Sequence, residues 1–174
     1  EHGMEKGAMT LVEETRAVDL YAQMPTGTET SGGSAANTMA GYASFGGNGA
    51  FIGKVADDAL GKVFQNDIKS LGVNFDTQPL VLGASTGRCM ILVTPDAHRT
   101  MNTFLGASIE LSPTDIDSSL IASAQITYLE GYLFDREQAK KAFITAAEYA
   151  HEAGHRIALT LSDPFCVDRS EEHT

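Results

Sequence analysis

The sequence predicts an α/β fold in which a parallel sheet is flanked by helices and carries a small inserted β-sheet. Strand-like and helix-like segments alternate before residue 74 and after residue 104, which is typical of parallel sheets. Between those positions short strand-like segments follow one another without a helix, so we expect a separate β-subdomain. The chain has 174 residues, 43% of them hydrophobic and 20% charged, which suits one domain with its own core.

The N-terminal part supplies three predicted helices, each ended by a turn-forming residue. The second stops at Gly46-Gly47, and the third is capped by Asp57 or Asp58 and ended by Gly72. These helices span Glu13–Gln23, Ala35–Phe45 and Ala59–Leu71. The candidate strands around them are Met9–Val12, Thr28–Ser31 and Ala50–Val55.

The middle of the chain is a series of short strands separated by Pro79, Gly83 and Pro95-Asp96. The predicted strands are Asn74–Asp76, Leu80–Leu82, Thr86–Thr94 and Arg99–Phe104. We expect strands at about residues 9–12, 28–31 and 79–104 to form a lid over the parallel sheet.

The alternating pattern returns after this insertion. Ser112-Pro113 is typical of a helix start with proline in the first turn. Strands are predicted over Gln125–Glu130 and Arg156–Leu161, with a long helix, Arg136–Ala153, between them. No helix is expected after the last strand.

Composition excludes several classes of protein. The net charge of −11 repels phosphate backbones and argues against a nucleic-acid partner. No apolar run approaches the roughly 20 residues of a membrane span, so we expect no membrane partner. The two cysteines, Cys89 and Cys166, are far apart in sequence, which favours reduced thiols and a cytoplasmic location.

The most informative segment is Ser31-Gly32-Gly33-Ser34-Ala-Ala-Asn37, which leads into a helix of small residues. Paired glycines before a helix allow backbone geometry closed to other residues and let a ligand approach the main chain. Asn37 lies in the first turn, where its amide can donate to and accept from sugar hydroxyls. A tight turn without a ligand would explain the two glycines equally well.

The order and spacing of several motifs resemble the N-terminal region of the ribokinase-like (PfkB-type) sugar and nucleoside kinases. The motifs are Gly32-Gly33-Ser-Ala-Ala-Asn37, Gly46-Gly47, Gly53-Lys-Val-Ala-Asp57-Asp58-Ala-Leu-Gly61, Thr86-Gly87-Arg88, Val93-Thr-Pro-Asp96 and Tyr128-Leu-Glu130-Gly131. Met39 is bulkier than the small residue usual in that signature. The Gly-Gly-Ser-x-x-Asn form is more similar to the adenosine-kinase branch than to ribokinase itself.

The resemblance implies a ribokinase-like, Rossmann-type parallel sheet and a substrate site. Gly32, Gly33, Ser34 and Asn37 would bind sugar hydroxyls, with Glu130 and Asp163 at the same pocket. Lid residues around Arg88 and from Asn102 through Leu105 to Ala107 would close over the substrate, a sugar or nucleoside. Two lids could pair through their edges in a homodimer.

The reaction implied is phosphoryl transfer from ATP, with Mg²⁺ neutralising the phosphates and an aspartate as base. The family carries that aspartate in a C-terminal Gly-Ala-Gly-Asp motif, which this sequence does not contain. We therefore assign no catalytic residue and expect the chain to be inactive alone. A non-catalytic sugar-binding relative on the same scaffold is the alternative.

Three other patterns have competing explanations. His151-Glu-Ala-Gly-His155 matches the zinc-peptidase motif, but Gly154 should end the helix before the second histidine. Asp57-Asp58 would suit Mg²⁺, although helix capping explains the pair without a metal. Glu130, on an apolar strand, would otherwise be a structural hydrogen-bond partner.

Both ends of the chain are expected to be truncated. The chain begins with Glu1 in a loop-like segment, and we expect residues 1–168 to form part of a kinase domain. Residues 169–174 read Arg-Ser-Glu-Glu-His-Thr, which one reading frame of a common sequencing adapter would encode. We interpret that tail as non-native.

Overall fold

The computed structural model describes residues 3–134, 136–162 and 164–171. The strands are β1 (Met9–Leu11), β2 (Arg88–Val93), β3 (Arg99–Phe104), β4 (Ile126–Glu130) and β5 (Arg156–Thr160). The helices are α1 (Glu14–Gln23), α2 (Ser34–Ser44), α3 (Ala59–Ser70), α4 (Ser118–Ser123), α5 (Glu137–Glu152) and α6 (Pro164–Glu171). The expected α/β fold with an inserted sheet is confirmed.

The inserted sheet, here called the small sheet, consists of β1, β3 and β2 in that order. β2 and β3 form an antiparallel hairpin, and β1 adds to β3 in parallel. Helix α1 covers one face, where Ala17 and Leu20 pack against Met90 and Phe104. Because strand side chains alternate between faces, the other face presents Met9, Leu11 and Ile91, all about two-fifths exposed.

Two predicted strands of the small sheet are absent from it. The segment 28–31 does not form a strand. Its contacts are with side chains: Tyr21 Oη donates to the Glu29 carboxylate, and the main-chain N–H of Ser31 donates to Asp67 Oδ2 at 3.1 Å. Leu80 instead pairs with the part of the fold outside the small sheet and α1, which we call the body. Its N–H donates to Val55 O at 2.8 Å. The small sheet is therefore narrower than the sequence suggested.

The body contains the parallel pairing that the sequence predicted. β4 and β5 are parallel, with Glu130 opposite Thr160 at their carboxyl ends. The predicted strand over residues 50–55 is reduced to parallel bridges at its two ends, from Ala50 to Asn74 and from Ala56 to Leu80. The predicted strand Asn74–Asp76 shrinks to its part in one of these bridges, because pairing does not continue along the segment.

Two apolar clusters hold the body together. In one, Phe51, Phe64 and Phe75 meet with ring centroids 5.5–5.7 Å apart. In the other, α5 places Ala146 and Ala150 against Ile121, with Leu129 and Ile157 from the sheet beside them. Alanines spaced three and four residues apart on α5 leave one face of the helix small enough for close contact.

A buried ion pair joins two parts of the body. Lys54 Nζ binds Asp115 Oδ1, and the side chains are 12% and 6% exposed. The other carboxylate oxygen of Asp115 accepts from Ser112 N at 3.0 Å and from Ser112 Oγ at 3.1 Å.

The helix predicted to start at Ser112-Pro113 is a single 3₁₀ turn. Helix α4 begins separately, after the capping residue Asp117.

The end of the chain differs from expectation. Helix α6 follows β5 directly and buries Cys166, although no helix was predicted there. Residues 169–171 lie in the last turn of α6, and residues 172–174 of the predicted tail are outside the described residues. In the part of the chain that the structure describes, no helix has the length and apolar character to cross a membrane.

Candidate functional site

The paired glycines form the entry to α2. Gly33 has a φ of 99°, a left-handed conformation that favours glycine, and its carbonyl accepts the N–H of Asn37 at 2.8 Å. The first N–H groups of a helix have no partner within the helix and carry partial positive charge. Ser34 and Asn37 are both exposed in this first turn. The turn therefore offers main-chain donors, a hydroxyl and an amide to one ligand.

Glu130 connects this turn to the carboxyl edge of the parallel strands. Ser34 Oγ donates to its Oε2 at 2.5 Å, and Ser162 Oγ donates to its Oε1. Ser162 follows β5 and has a φ of 67°, which is unusual for a residue with a side chain. Ligands of α/β proteins commonly bind beyond the carboxyl ends of parallel strands. We call Ser34, Glu130 and Ser162 the Glu130 cluster.

Close packing fixes the position of Glu130. A Cβ at the next residue, Gly131, would lie 2.4 Å from Thr160 O and 3.1 Å from Ser162 Oγ. Glycine therefore allows the ends of β4 and β5 to touch, which keeps Ser162 within hydrogen-bonding distance. The carboxylate is half-buried and has two hydroxyl partners, which is the structural role that the sequence offered as the alternative for Glu130. The same geometry leaves it able to accept a ligand hydroxyl.

Among the described residues, no hydrogen bond joins the predicted lid residues Asn102, Leu105 and Ala107 to the Glu130 cluster. The side chain of Asn102 is buried on the α1 face of the small sheet, where Nδ2 lies 3.1 Å from Met4 Sδ. Ala107 is fully buried, and the Leu105 carbonyl accepts from Ser108 Oγ at 2.6 Å. Arg88 is on the same face as Asn102, with its guanidinium 5.7 Å from the Phe104 ring centroid. Asp163 lies outside the described residues.

Asp58 caps α3, as the sequence suggested. Its Oδ1 accepts from Gly61 N and from Thr86 Oγ1, both at 2.7 Å, and its Oδ2 accepts from Thr86 N at 2.8 Å. Partial burial acts to raise the pKa of Asp58, but the hydrogen bonds from Thr86 and Gly61 outweigh it and the pKa lies below its ordinary value. Neighbouring Asp57 instead forms a surface ion pair with Lys62.

The zinc-peptidase motif is divided by the end of a helix. α5 ends at Glu152, Gly154 has a φ of 74°, and His155 lies beyond it with Nε2 3.1 Å from Ala122 O. The two histidines therefore do not share a continuous helix. Within the described residues, no group of three or more His, Cys, Asp or Glu side chains is arranged to hold a metal ion.

Ser162 was not anticipated from sequence. Its residue type is unremarkable in a loop, and its role depends on an unusual backbone angle that a serine does not signal. A usable clue was its place directly after a predicted parallel strand, at the edge where Glu130 ends the neighbouring strand.

Known proteins are similar to this chain over most of its length. The family model of pfkB family carbohydrate kinases matches residues 8–171. Probable fructokinase-6, chloroplastic, from Arabidopsis thaliana is 33% identical over 135 residues, which cover 76% of this chain and 35% of that protein. A 5-dehydro-2-deoxygluconokinase from Shouchella clausii is 29% identical over 167 residues, covering 92% of this chain and 48% of the relative.

Solved structures are similar over nearly the whole chain. The adenosine kinase from Sinorhizobium meliloti is 50% identical with a TM-score of 0.90, covering 98% of this chain and 52% of that one. The adenosine kinase from Schistosoma mansoni in complex with adenosine shares the fold, with a TM-score of 0.84 at 23% identity. The chain thus spans about a third to a half of the length of the proteins it matches.

Proposed function

Because the chain belongs to the pfkB family of carbohydrate kinases, we propose that the complete protein transfers a phosphoryl group from ATP to a hydroxymethyl group of a sugar or nucleoside. The observation that carries this proposal is the Glu130 cluster beside the first turn of α2. A ligand hydroxyl can replace a serine hydroxyl on Glu130 while a neighbouring hydroxyl binds Asn37. Gly32 and Gly33 allow the ligand to approach the main chain.

A nucleoside is the substrate class that we favour. The 50% identity to an adenosine kinase supports it, whereas the fructokinase relatives are more distant at 29–33%. The face of the small sheet opposite α1 also supports it, since Met9, Leu11 and Ile91 are exposed there. An apolar face of this kind suits a flat base better than a second sugar hydroxyl. We propose that the small sheet closes over the substrate as a lid.

The catalytic base and most of the ATP site are proposed to lie in the part of the relatives that this chain does not span. Within the described residues, no group of three or more His, Cys, Asp or Glu side chains is arranged to hold a metal ion. Kinases commonly hold Mg²⁺ with one or two carboxylates together with the ATP phosphates, and we propose that those carboxylates also lie outside this chain. The described residues bind and orient the acceptor hydroxyl. Accordingly, we propose that the chain alone has no ATP turnover.

The test is a phosphoryl-transfer assay of the complete protein with ATP, Mg²⁺ and adenosine, ribose or fructose as acceptor. We expect turnover with adenosine to exceed turnover with either sugar. Adenosine binding without turnover of any acceptor would instead support a non-catalytic binding protein on the same scaffold. Turnover by the 174-residue chain alone would contradict the proposed placement of the base.

Substitution of Asn37 by alanine tests the α2 end of the site. We expect Asn37→Ala in the complete protein to raise the acceptor Kd about three- to tenfold, the effect of losing one or two hydrogen bonds. Helix α2 should remain folded because the side chain is exposed and alanine favours helices. Calorimetric titration with adenosine measures the change.

The matched control is Ser44→Ala at the other end of α2, where Ser44 Oγ donates only to Gly41 O. Its Kd should stay within about twofold of the parent protein, since no binding contact is removed. Equal Kd values for Asn37→Ala and the parent protein would remove Asn37 from the site.

Association through the small sheet is proposed as well. In the described residues, the outer edges of β1 and β2 are not paired with another strand. Open edges of this kind can pair with the same sheet of a second molecule. Sedimentation equilibrium of the complete protein would show a dimer if they do, and a monomer at all concentrations would contradict the proposal.

A further inference from the structure

The two ends of the β2–β3 hairpin meet main chain to main chain. Ala107 N donates to Ser85 O at 2.9 Å. A Cβ at Gly106 would lie 2.2 Å from Ser85 O, and a Cβ at Gly87 would lie 2.4 Å from Leu105 O. We call residues 85–87 and 105–107 the hairpin base. Its packing leaves no space for a side chain between the two crossing segments.

Asp58 fixes the hairpin base to α3. Both carboxylate oxygens accept hydrogen bonds from Thr86: Oδ2 from its N–H and Oδ1 from its hydroxyl. Oδ1 also accepts from the N–H of Gly61. Thr86 is 6% exposed, and its Oγ1 accepts from Ala56 N at 3.0 Å. The Asp58 carboxylate therefore links the start of α3 to the hairpin base. Through Thr86 it also reaches Ala56, in the segment 50–56 that forms the parallel bridges and that we call the bridge segment.

The second connection between the small sheet and the body is weaker. The segment from Pro25 to Gly33 leads from α1 to α2 and is held by the exposed Tyr21–Glu29 hydrogen bond and by Ser31 N on Asp67. The Tyr21–Glu29 hydrogen bond is exposed and contributes little to stability, and Ser31 N–Asp67 is a single, partly buried hydrogen bond, whereas Asp58 accepts three. The orientation of the small sheet is thus set at the hairpin base.

The length of the hairpin amplifies changes at its base. β2 and β3 have six residues each, so they extend about 20 Å from the base. A rotation of about 10° there would move the far end by about 3 Å, enough to break van der Waals contact with a ligand.

We propose that Asp58 is a positioning residue, which holds the small sheet through Thr86 in the orientation that binds the phosphoryl acceptor. This inference rests on the proposed function, because it assumes that the small sheet closes over that acceptor. Asp58 itself does not touch the substrate. It acts through the hairpin base.

Kinetics of the complete protein test the inference with four variants. Asn at position 58 would present an NH₂ group to one of the two Thr86 donors, and Thr86→Val removes the hydroxyl while its N–H still donates. Each variant therefore loses one of the two hydrogen bonds between positions 58 and 86. We expect the KM for adenosine to rise about tenfold in each, with kcat within about twofold. Thr86→Ser keeps both donors and should retain the parent KM. Asp57→Asn is the matched control, because Asp57 only pairs with surface Lys62.

A purely structural role gives a different result. If Asp58 only stabilises the fold, Asp58→Asn and Thr86→Val lower kcat in proportion to the folded fraction and leave the KM unchanged. That outcome overturns the inference. So does a Thr86→Ser protein whose KM rises as much as that of Thr86→Val.

Hydrogen exchange supplies a readout that does not depend on kinase activity. In Asp58→Asn and Thr86→Val we expect the amides of residue 86 and Ala107, which are hydrogen-bonded in the parent protein, to exchange at least about tenfold faster, while amides of α5 keep their rates. Unchanged exchange at the hairpin base overturns the inference whatever the kinetics show. A parent protein that phosphorylates no acceptor overturns the proposed function instead, and exchange then decides whether Asp58 anchors the hairpin base.

Discussion

Replacing Lys54 by methionine is expected to lower the free energy of unfolding by about 3–5 kcal/mol. The change removes the ammonium group but keeps most of the aliphatic stem, so Asp115 stays buried at 6% exposure without its cation. Ser112 still donates two hydrogen bonds to that carboxylate, but these are neutral donors and cannot replace the charge. Urea unfolding followed by circular dichroism measures the shift of the midpoint.

The control for this variant is Lys62→Met, which breaks an ion pair of the same chemistry at the surface. Lys62 and Asp57 are 68% and 52% exposed and 3.3 Å apart. Water and salt screen such a pair, so the expected loss is under about 1 kcal/mol. Similar losses in the two variants would show that burial of the Lys54–Asp115 pair has no energetic consequence.

Substitution of Gly61 by alanine is expected to destabilise the protein by about 3 kcal/mol. The new Cβ would lie 2.1 Å from Ala56 O and 3.0 Å from Thr86 Oγ1. A backbone carbonyl cannot rotate away as a side chain can, so α3 has to shift from the bridge segment. The Asp58 hydrogen bonds would then lengthen together. The unfolding midpoint and the exchange rate of the Thr86 amide report the two effects.

Gly41→Ala is the matched control, and its folding stability is expected to change in the opposite direction. Gly41 is inside α2, and a Cβ there would meet no atom within 4 Å. Alanine in a helix is favoured over glycine by about 0.5–1 kcal/mol, so this variant should gain stability. A loss in Gly61→Ala no larger than the change in Gly41→Ala would contradict the crowding at Ala56.

Helices α1, α2, α3 and α5 were predictable because their signals are local. Asp58 before α3, Gly72 after it and Gly154 after α5 define helix ends through residue types alone. The strands were less predictable, because pairing depends on partners distant in sequence. Residues 28–31 have strand-like composition, yet the main-chain N–H of Ser31 donates to the side chain of Asp67 and not to a neighbouring strand.

The site was predictable where residue type determines chemistry. The Gly32-Gly33 pair and a glutamate at the end of a strand indicated the first turn of α2 and Glu130. Asn102 was placed with the substrate, but it shares a strand face with Phe104, two residues on, and that face packs against α1. The alternation of side chains along β3 was enough to place Asn102 and Phe104 on the same face of the sheet. Which of the two faces α1 would cover could not be inferred from the sequence of the strand.

The two serines on Glu130 bear on how selective the proposed site would be. A buried polar group that loses its partner when a ligand lacks a hydroxyl imposes a strong penalty on that ligand. Glu130 avoids such a penalty, because Ser34 and Ser162 already satisfy both of its oxygens. A sugar hydroxyl binding there exchanges one hydrogen bond for another, so the net gain is small. If substrate binds as proposed, we expect deoxy analogues to be tolerated at this position, and discrimination between ligands to depend on groups that have no protein partner in the free state.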